Sequence, residues 1–120
     1  MKPTEIITAD AQAKGVDPQP ILQAIGQAVK ANKGVVLQEN NTVLFLLGIG
    51  PDKAEVHIFT QDRPVAVGKA IASFIPKAQE MGIKFIYGTE EPAQTLALLK
   101  FLGIESEPSD MPKYKWMARI

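Results

Sequence analysis

A chain of 120 residues has the length of one compact domain, and 46% hydrophobic with 22% charged residues excludes the disordered and fibrous classes. Thirteen basic residues balance thirteen acidic ones, so no global field draws the protein onto nucleic acid or an acidic membrane, and an anionic ligand has to be met locally. Cysteine is absent, which excludes disulfides, thiolate metal sites and a cysteine nucleophile.

Residues 1–120 read as a single domain. The opening Met1-Lys2-Pro3-Thr4-Glu5 lacks the apolar centre of a signal peptide, and the apolar run Val43 to Leu47 is far below the roughly 20 residues that span a bilayer. A cytoplasmic protein without membrane contact is expected. Thr4 reads as the cap of a first helix reaching about Lys14, with Gly15 as its stop. Asp17-Pro18 reads as a cap followed by proline in the first turn of a second helix. Ile21, Leu22, Ile25, Ala28 and Val29 give that helix, which runs to about Ala31, one apolar stripe.

At Gly34 the periodicity changes. Val35-Val36-Leu37 is β-rich, Asn40-Asn41 is a turn dipeptide, and Thr42 to Leu47 is apolar without alternation, which predicts a hairpin whose second strand is buried on both faces. A turn at residues 48–52 leads to a third strand, Ala54 to Thr60, with Glu55, His57 and Phe59 on one side. Asp62 reads as the cap of a third helix with Pro64 in its first turn. Val67, Ala70, Ile71, Phe74 and Ala78 form its stripe, Pro76 predicts a kink or break near Ser73 to Pro76, and Gly82 ends it.

Ile83 to Tyr87 is a fourth strand, returned parallel to the third by the helical crossover. A last helix starts at Thr89 or Glu90, with Pro92 in its first turn and Leu96, Leu99 and Leu102 facing inward, supported by Ala93 and Phe101. Beyond Gly103 the tail reads as a hairpin, with Tyr114, Trp116, Ala118 and Ile120 alternating onto one face. The predicted class is α/β (α+β): a mixed sheet of order α-α-β-β-β-α-β-α-β-β with helices on both faces.

A helix that starts directly after a strand with small residues in its first turn points free N–H groups at an anion. Arg63-Pro64-Val65-Ala66-Val67-Gly68 occupies that place and resembles the pyrophosphate turn of the GNAT acyltransferase family, Gln/Arg-x-x-Gly-x-Gly/Ala. Arg63 matches the first position and Gly68 the last, while Ala66 replaces the middle glycine. A second register, Val65-x-x-Gly68-x-Ala70, keeps the middle glycine and loses the Gln/Arg. Leu102-Gly103-Ile104 is similar to the family's Leu-Gly-Phe helix ending, and the resemblance covers about Thr42 to Ile120.

The resemblance implies a single GNAT-like domain that binds acetyl-CoA or another acyl-CoA. Its cofactor-binding residues would be Arg63, Val65, Ala66, Val67, Gly68 and Lys69, with an amine as acceptor. It also implies His57, the only histidine, as candidate catalytic base on the strand from which the family often presents one. Glu55 stands two residues away on the same face. His57 also fits an ordinary half-buried strand histidine. By the same register Leu99 stands where many members carry the tyrosine that protonates the departing thiolate, and Pro92 where they often carry asparagine. The alternative implied by these departures is a non-catalytic structural or interaction module of the same fold, resembling short phage virion proteins, with a protein partner or a homo-oligomer. No Walker loop or metal-ligand spacing occurs, and no metal or nucleic acid is expected.

Overall fold

The computed structural model describes residues 1–120. Its elements follow in the order α1 (Pro3–Ala13), α2 (Pro18–Lys30), β1 (Gly34–Glu39), β2 (Thr42–Gly50), β3 (Lys53–Thr60), α3 (Pro64–Glu80), β4 (Phe85–Gly88), α4 (Ala93–Phe101), β5 (Ser106–Pro108) and β6 (Trp116–Arg119). One six-stranded sheet has the spatial order β1-β2-β3-β4-β6-β5. All neighbours are antiparallel except β3 and β4, which the α3 crossover makes parallel.

Strand alternation sends neighbouring residues of β2 into two different cores. Val43 and Phe45 pack with Ile6, Ile7 and Ile25 of α1 and α2 on one face. Leu44 and Leu46 pack with Ala70, Phe74 and Ala78 of α3 on the other. A third cluster joins Val67 and Ile71 to Leu99 of α4, Ile86 of β4 and Trp116 of β6. The unbroken apolar run is thus explained: Thr42 to Leu46 are all buried because helices cover both sides.

Thr4 does not cap α1 but lies in its first turn, with Lys2 at the cap position, and four further local expectations are corrected. Asp62 does not cap α3; its carboxylate accepts from Asn41 N–H at 3.0 Å and from the Thr42 hydroxyl at 2.8 Å. Arg63 holds the cap position with no side-chain hydrogen bond to the helix. The break expected near Ser73 to Pro76 does not occur: helix α3 continues through Pro76, and Ala72, whose carbonyl loses its donor, lies exposed with Pro76 on the side open to solvent. Helix α4 begins at Ala93 with Pro92 as the cap residue, so 89–91 belong to the preceding turn, and Phe101 is 87% exposed rather than packed.

The last correction concerns Tyr114. It precedes β6 and packs against Tyr87 in a tilted pair with ring centroids 5.3 Å apart, on the Glu55 side of the sheet, while Trp116 joins Ile86 on the opposite side. The turn before β6 swings the ring across, since its hydroxyl finds a charged acceptor only there.

Candidate functional site

Pairing between β3 and β4 lasts for three residues, from Lys53 opposite Phe85 to Glu55 opposite Tyr87. Beyond it the strands separate. Before the paired stretch the Asp52 carbonyl still accepts from Lys84 and Phe85 N–H at 2.8 and 3.1 Å, whereas past it Gln61 N–H reaches back to Asn41 on the β2 side at 3.0 Å. Main-chain groups alternate in direction along a strand, so those of Ile58 and Thr60 point into the gap. Asp10 takes the Thr60 N–H at 3.1 Å, and no strand lies beside Ile58.

Trp116 and Gly88 hold the gap open from the far side. The two residues are cross-strand partners, and a Cβ on Gly88 would lie 2.0 Å from the indole Nε1. Only a residue without a side chain lets the indole cross there. Its N–H donates to the Glu90 carbonyl at 2.7 Å, which fixes the turn entering α4. The resulting groove encloses about 800 Å³. Its walls are α1 and α2 on one side, the free part of β3 at the floor, and the starts of α3 and α4 on the other.

Glu55 is the polar centre of this groove. Although 7% exposed, it has a partner for each oxygen: His57 Nε2 at 2.5 Å on Oε2, and the Tyr114 hydroxyl donating to Oε1 at 2.9 Å. Lys113 Nζ stands 3.6 Å from Oε1. Burial opposes ionisation of Glu55, yet the hydrogen bonds from His57 and Tyr114 and the charges of His57 and Lys113 outweigh it, so the carboxyl lies below its ordinary value. For Tyr114, burial and then the hydrogen bond to Glu55 push the hydroxyl up to about 12. His57 stacks on Phe45 with centroids 6.2 Å apart and keeps 34% of its side chain exposed. A buried carboxylate thereby orients an imidazole whose ring still meets the groove.

At the other end the start of α3 borders the groove through Pro64 and Val67. Proline has no N–H, and Val67 N–H already donates to the Arg63 carbonyl at 3.0 Å. The donors of the first turn without an intramolecular partner are therefore Val65 and Ala66. Arg63, Val65 and Lys69 are exposed there, whereas the Val67 side chain is buried in the core. Gly68 faces α4, where a Cβ would meet Leu98 Cδ2 at 3.3 Å. Leu99, three per cent exposed, sits in the apolar cluster with Trp116.

The fold thus brings Glu55 and His57 to the groove floor, while of the start of α3 only Pro64 and Val67 line the groove and Arg63, Val65, Ala66, Gly68 and Lys69 do not. Sequence reading missed Tyr114, Lys113, Gly88 and Trp116 as parts of the site. The pair Glu55 and Tyr114 is 59 residues apart in the chain, and neither periodicity nor spacing carries a signal for their meeting. No group of three or more His, Cys, Asp or Glu side chains is placed to hold a metal ion, and no helix is long and apolar enough to cross a membrane.

No protein-family model matches the sequence, and no curated protein matches it. Solved structures do match in three dimensions. A GNAT family acetyltransferase from Elizabethkingia anophelis with acetyl-CoA bound superposes with a TM-score of 0.58, over 99% of this chain and 88% of that one, at 14% identity. The fold is that of the GNAT acetyltransferases. A Bacillus subtilis acetyltransferase in complex with CoA gives 0.53 over 83% and 82% of the two chains at 16% identity. The ribosomal-protein-alanine N-acetyltransferase from Brucella melitensis gives 0.56 over 87% and 76% at 12% identity. Identity this low carries the GNAT fold and says nothing of substrate.

Proposed function

We propose that the chain binds an acyl-coenzyme A in the gap between β3 and β4 and passes its acyl group to an amine on the α1–α2 side of β3. The parting of these two parallel strands is the observation that carries the reading, because it leaves the main-chain groups of Ile58 free for an extended amide-bearing ligand. The residues present fit the coenzyme. Val65 and Ala66 N–H groups and the Arg63 guanidinium would hold its pyrophosphate at the α3 terminus. Solved structures of the same fold, among them those from Elizabethkingia anophelis and Bacillus subtilis, carry acetyl-CoA or CoA.

When bound, the thioester supplies an activated acyl group. His57 would accept the proton that the attacking amine loses, with Glu55 holding the imidazole in place. Tyr114 keeps Glu55 in place and, with its hydroxyl pushed up to about 12, stays protonated at neutral pH. Leu99 offers no proton for the departing thiolate, so that proton has to come from water or back from His57.

Isothermal titration with acetyl-CoA tests the reading. The expected result is saturable binding that weakens in Arg63→Ala and alters the emission of Trp116, which lines the groove. Absence of heat at millimolar ligand removes the proposal. Leu99 by itself favours a second reading, a non-catalytic module of this fold that binds a partner or itself; it expects no turnover. A phage origin finds no support in the solved structures that share the fold.

A further inference from the structure

We propose that two copies of this chain pair through their β1 strands, antiparallel about a two-fold axis at Val36, to form one continuous sheet. The proposal stands apart from the acyltransferase reading and rests on the contrast between the two edges of the sheet. At one edge β5 has three residues, Ser106–Pro108, and ends in proline, which is how edges are blunted against pairing. At the other edge β1 has six, Gly34–Glu39, with no proline, no bulge and no charge before its last residue.

The register follows from which groups are free. Gly48 N–H donates to the Lys33 carbonyl at 2.8 Å, so Lys33, Val35, Leu37 and Glu39 turn their main-chain groups toward β2. Gly34, Val36 and Gln38 turn theirs outward, Val36 and Gln38 half-buried at the edge and Gly34 buried beside Ala28 of α2. When Val36 meets Val36 of a second copy, Gly34 falls opposite Gln38 on either side, a pair that forms only where Gly34 is uncovered, and outward-facing residues pair only with outward-facing ones. A shift of two residues leaves one of them opposite a residue outside the strand. The same register sets Lys33 opposite Glu39 at both ends.

In the single chain neither charge has an ion-pair partner, since the three salt bridges involve other residues. Glu39 receives only a long contact from the Ser73 hydroxyl at 3.4 Å. Val35, 38% exposed, would lie beside Leu37 of the second copy on the α3 side of the joined sheet. A surface whose free donors, acceptors and opposite charges match themselves under a two-fold rotation fits a second copy of this chain.

Sedimentation equilibrium of the full chain from micromolar to millimolar concentration reads the dimer directly. Glu39→Lys sets like charges opposite each other twice and is expected to raise the dimer Kd about tenfold at low salt. The double exchange Lys33→Glu with Glu39→Lys restores the opposition and is expected to return Kd to the native value. Val36→Pro removes an outward N–H without touching the β1–β2 ladder and is expected to leave a monomer. If circular dichroism shows that this variant does not fold, the charge exchange decides. A chain that is monomeric up to about 1 mM overturns the proposal. So does a dimer whose Kd ignores both charge reversal and its exchange.

Discussion

Replacing Tyr114 by Phe removes one hydroxyl and leaves the rest of its surroundings in place. The ring keeps its burial and its contact with Tyr87, and Lys113 remains beside Glu55. What disappears is a 2.9 Å hydrogen bond to a buried carboxylate, for which a loss of about 1.5–3 kcal/mol is expected. Proton linkage adds a separate, pH-dependent contribution. The hydroxyl is pushed up to about 12 in the folded chain, first by burial and then by the hydrogen bond to Glu55, against about 10 when unfolded, so the native chain is expected to lose about 3 kcal/mol as pH rises across that interval. This loss is distinct from the worth of the hydrogen bond at neutral pH.

The two contributions can be separated by pH. A folded-state pKa above the unfolded one stabilises fully below about pH 10, and that contribution disappears as pH rises through 10 toward 12. Native protein is therefore expected to lose stability over that interval relative to Tyr114→Phe, and the two should converge near its top. Tyr87, also raised by its burial and then by Asp110, titrates in both proteins and cancels in the difference. Urea unfolding followed by the emission of buried Trp116, at neutral pH and at about pH 11, measures the difference. A neutral-pH difference below about 0.5 kcal/mol, or one that pH does not change, would refute the assignment of Tyr114 as the donor to Glu55.

Gly88→Ala is expected to expel the Trp116 indole, breaking its bond to the Glu90 carbonyl, with a loss of about 2–5 kcal/mol and a red-shifted emission. Glu55→Gln should lower stability at neutral pH by about 1–3 kcal/mol. Because the Glu55 carboxyl lies below its ordinary value, its stabilisation is present above that value and is lost as pH falls through the lower folded one; acid unfolding curves of the Gln variant should lack this limb. Asp62→Ala leaves Asn41 N–H and one bond of the buried Thr42 hydroxyl unmatched, for a loss of about 1–3 kcal/mol. Its circular dichroism at helical wavelengths should not change, since Asp62 does not cap α3; fraying of that helix would contradict the structure.

Local chemistry determined the order of the elements. Helical stripes such as Val67, Ala70, Ile71 and Phe74 bury as their spacing requires. Gly82 and Gly103 end helices with φ of +86° and +83°, a conformation that other residues rarely adopt. The apolar stretch Thr42 to Leu47 announced a strand covered on both faces, of which Thr42 to Leu46 are buried, and the long crossover through α3 fixed the parallel return of β4. These features depend on residues within a few positions of each other, or on the handedness that every chain shares.

The site was decided by contacts that no local rule contains. Asp62 stands where a helix cap would stand, yet Asn41 and Thr42, brought alongside by the β2–β3 pairing, offer it two donors and win. Pro76 breaks nothing because tertiary packing leaves the solvent side of α3 outermost. Tyr114 sits on an alternation that predicts one face of the sheet, and a charged acceptor on the other face overrides it. The sequence put His57 and the start of α3 forward as parts of one site through its resemblance to the GNAT family, with Glu55 noted beside His57 on the same strand face. That Glu55 would be held by Tyr114 and Lys113, and that Trp116 would hold the groove open across Gly88, required the folded chain. A buried charge selects its partners from whatever the whole sheet brings within hydrogen-bonding distance.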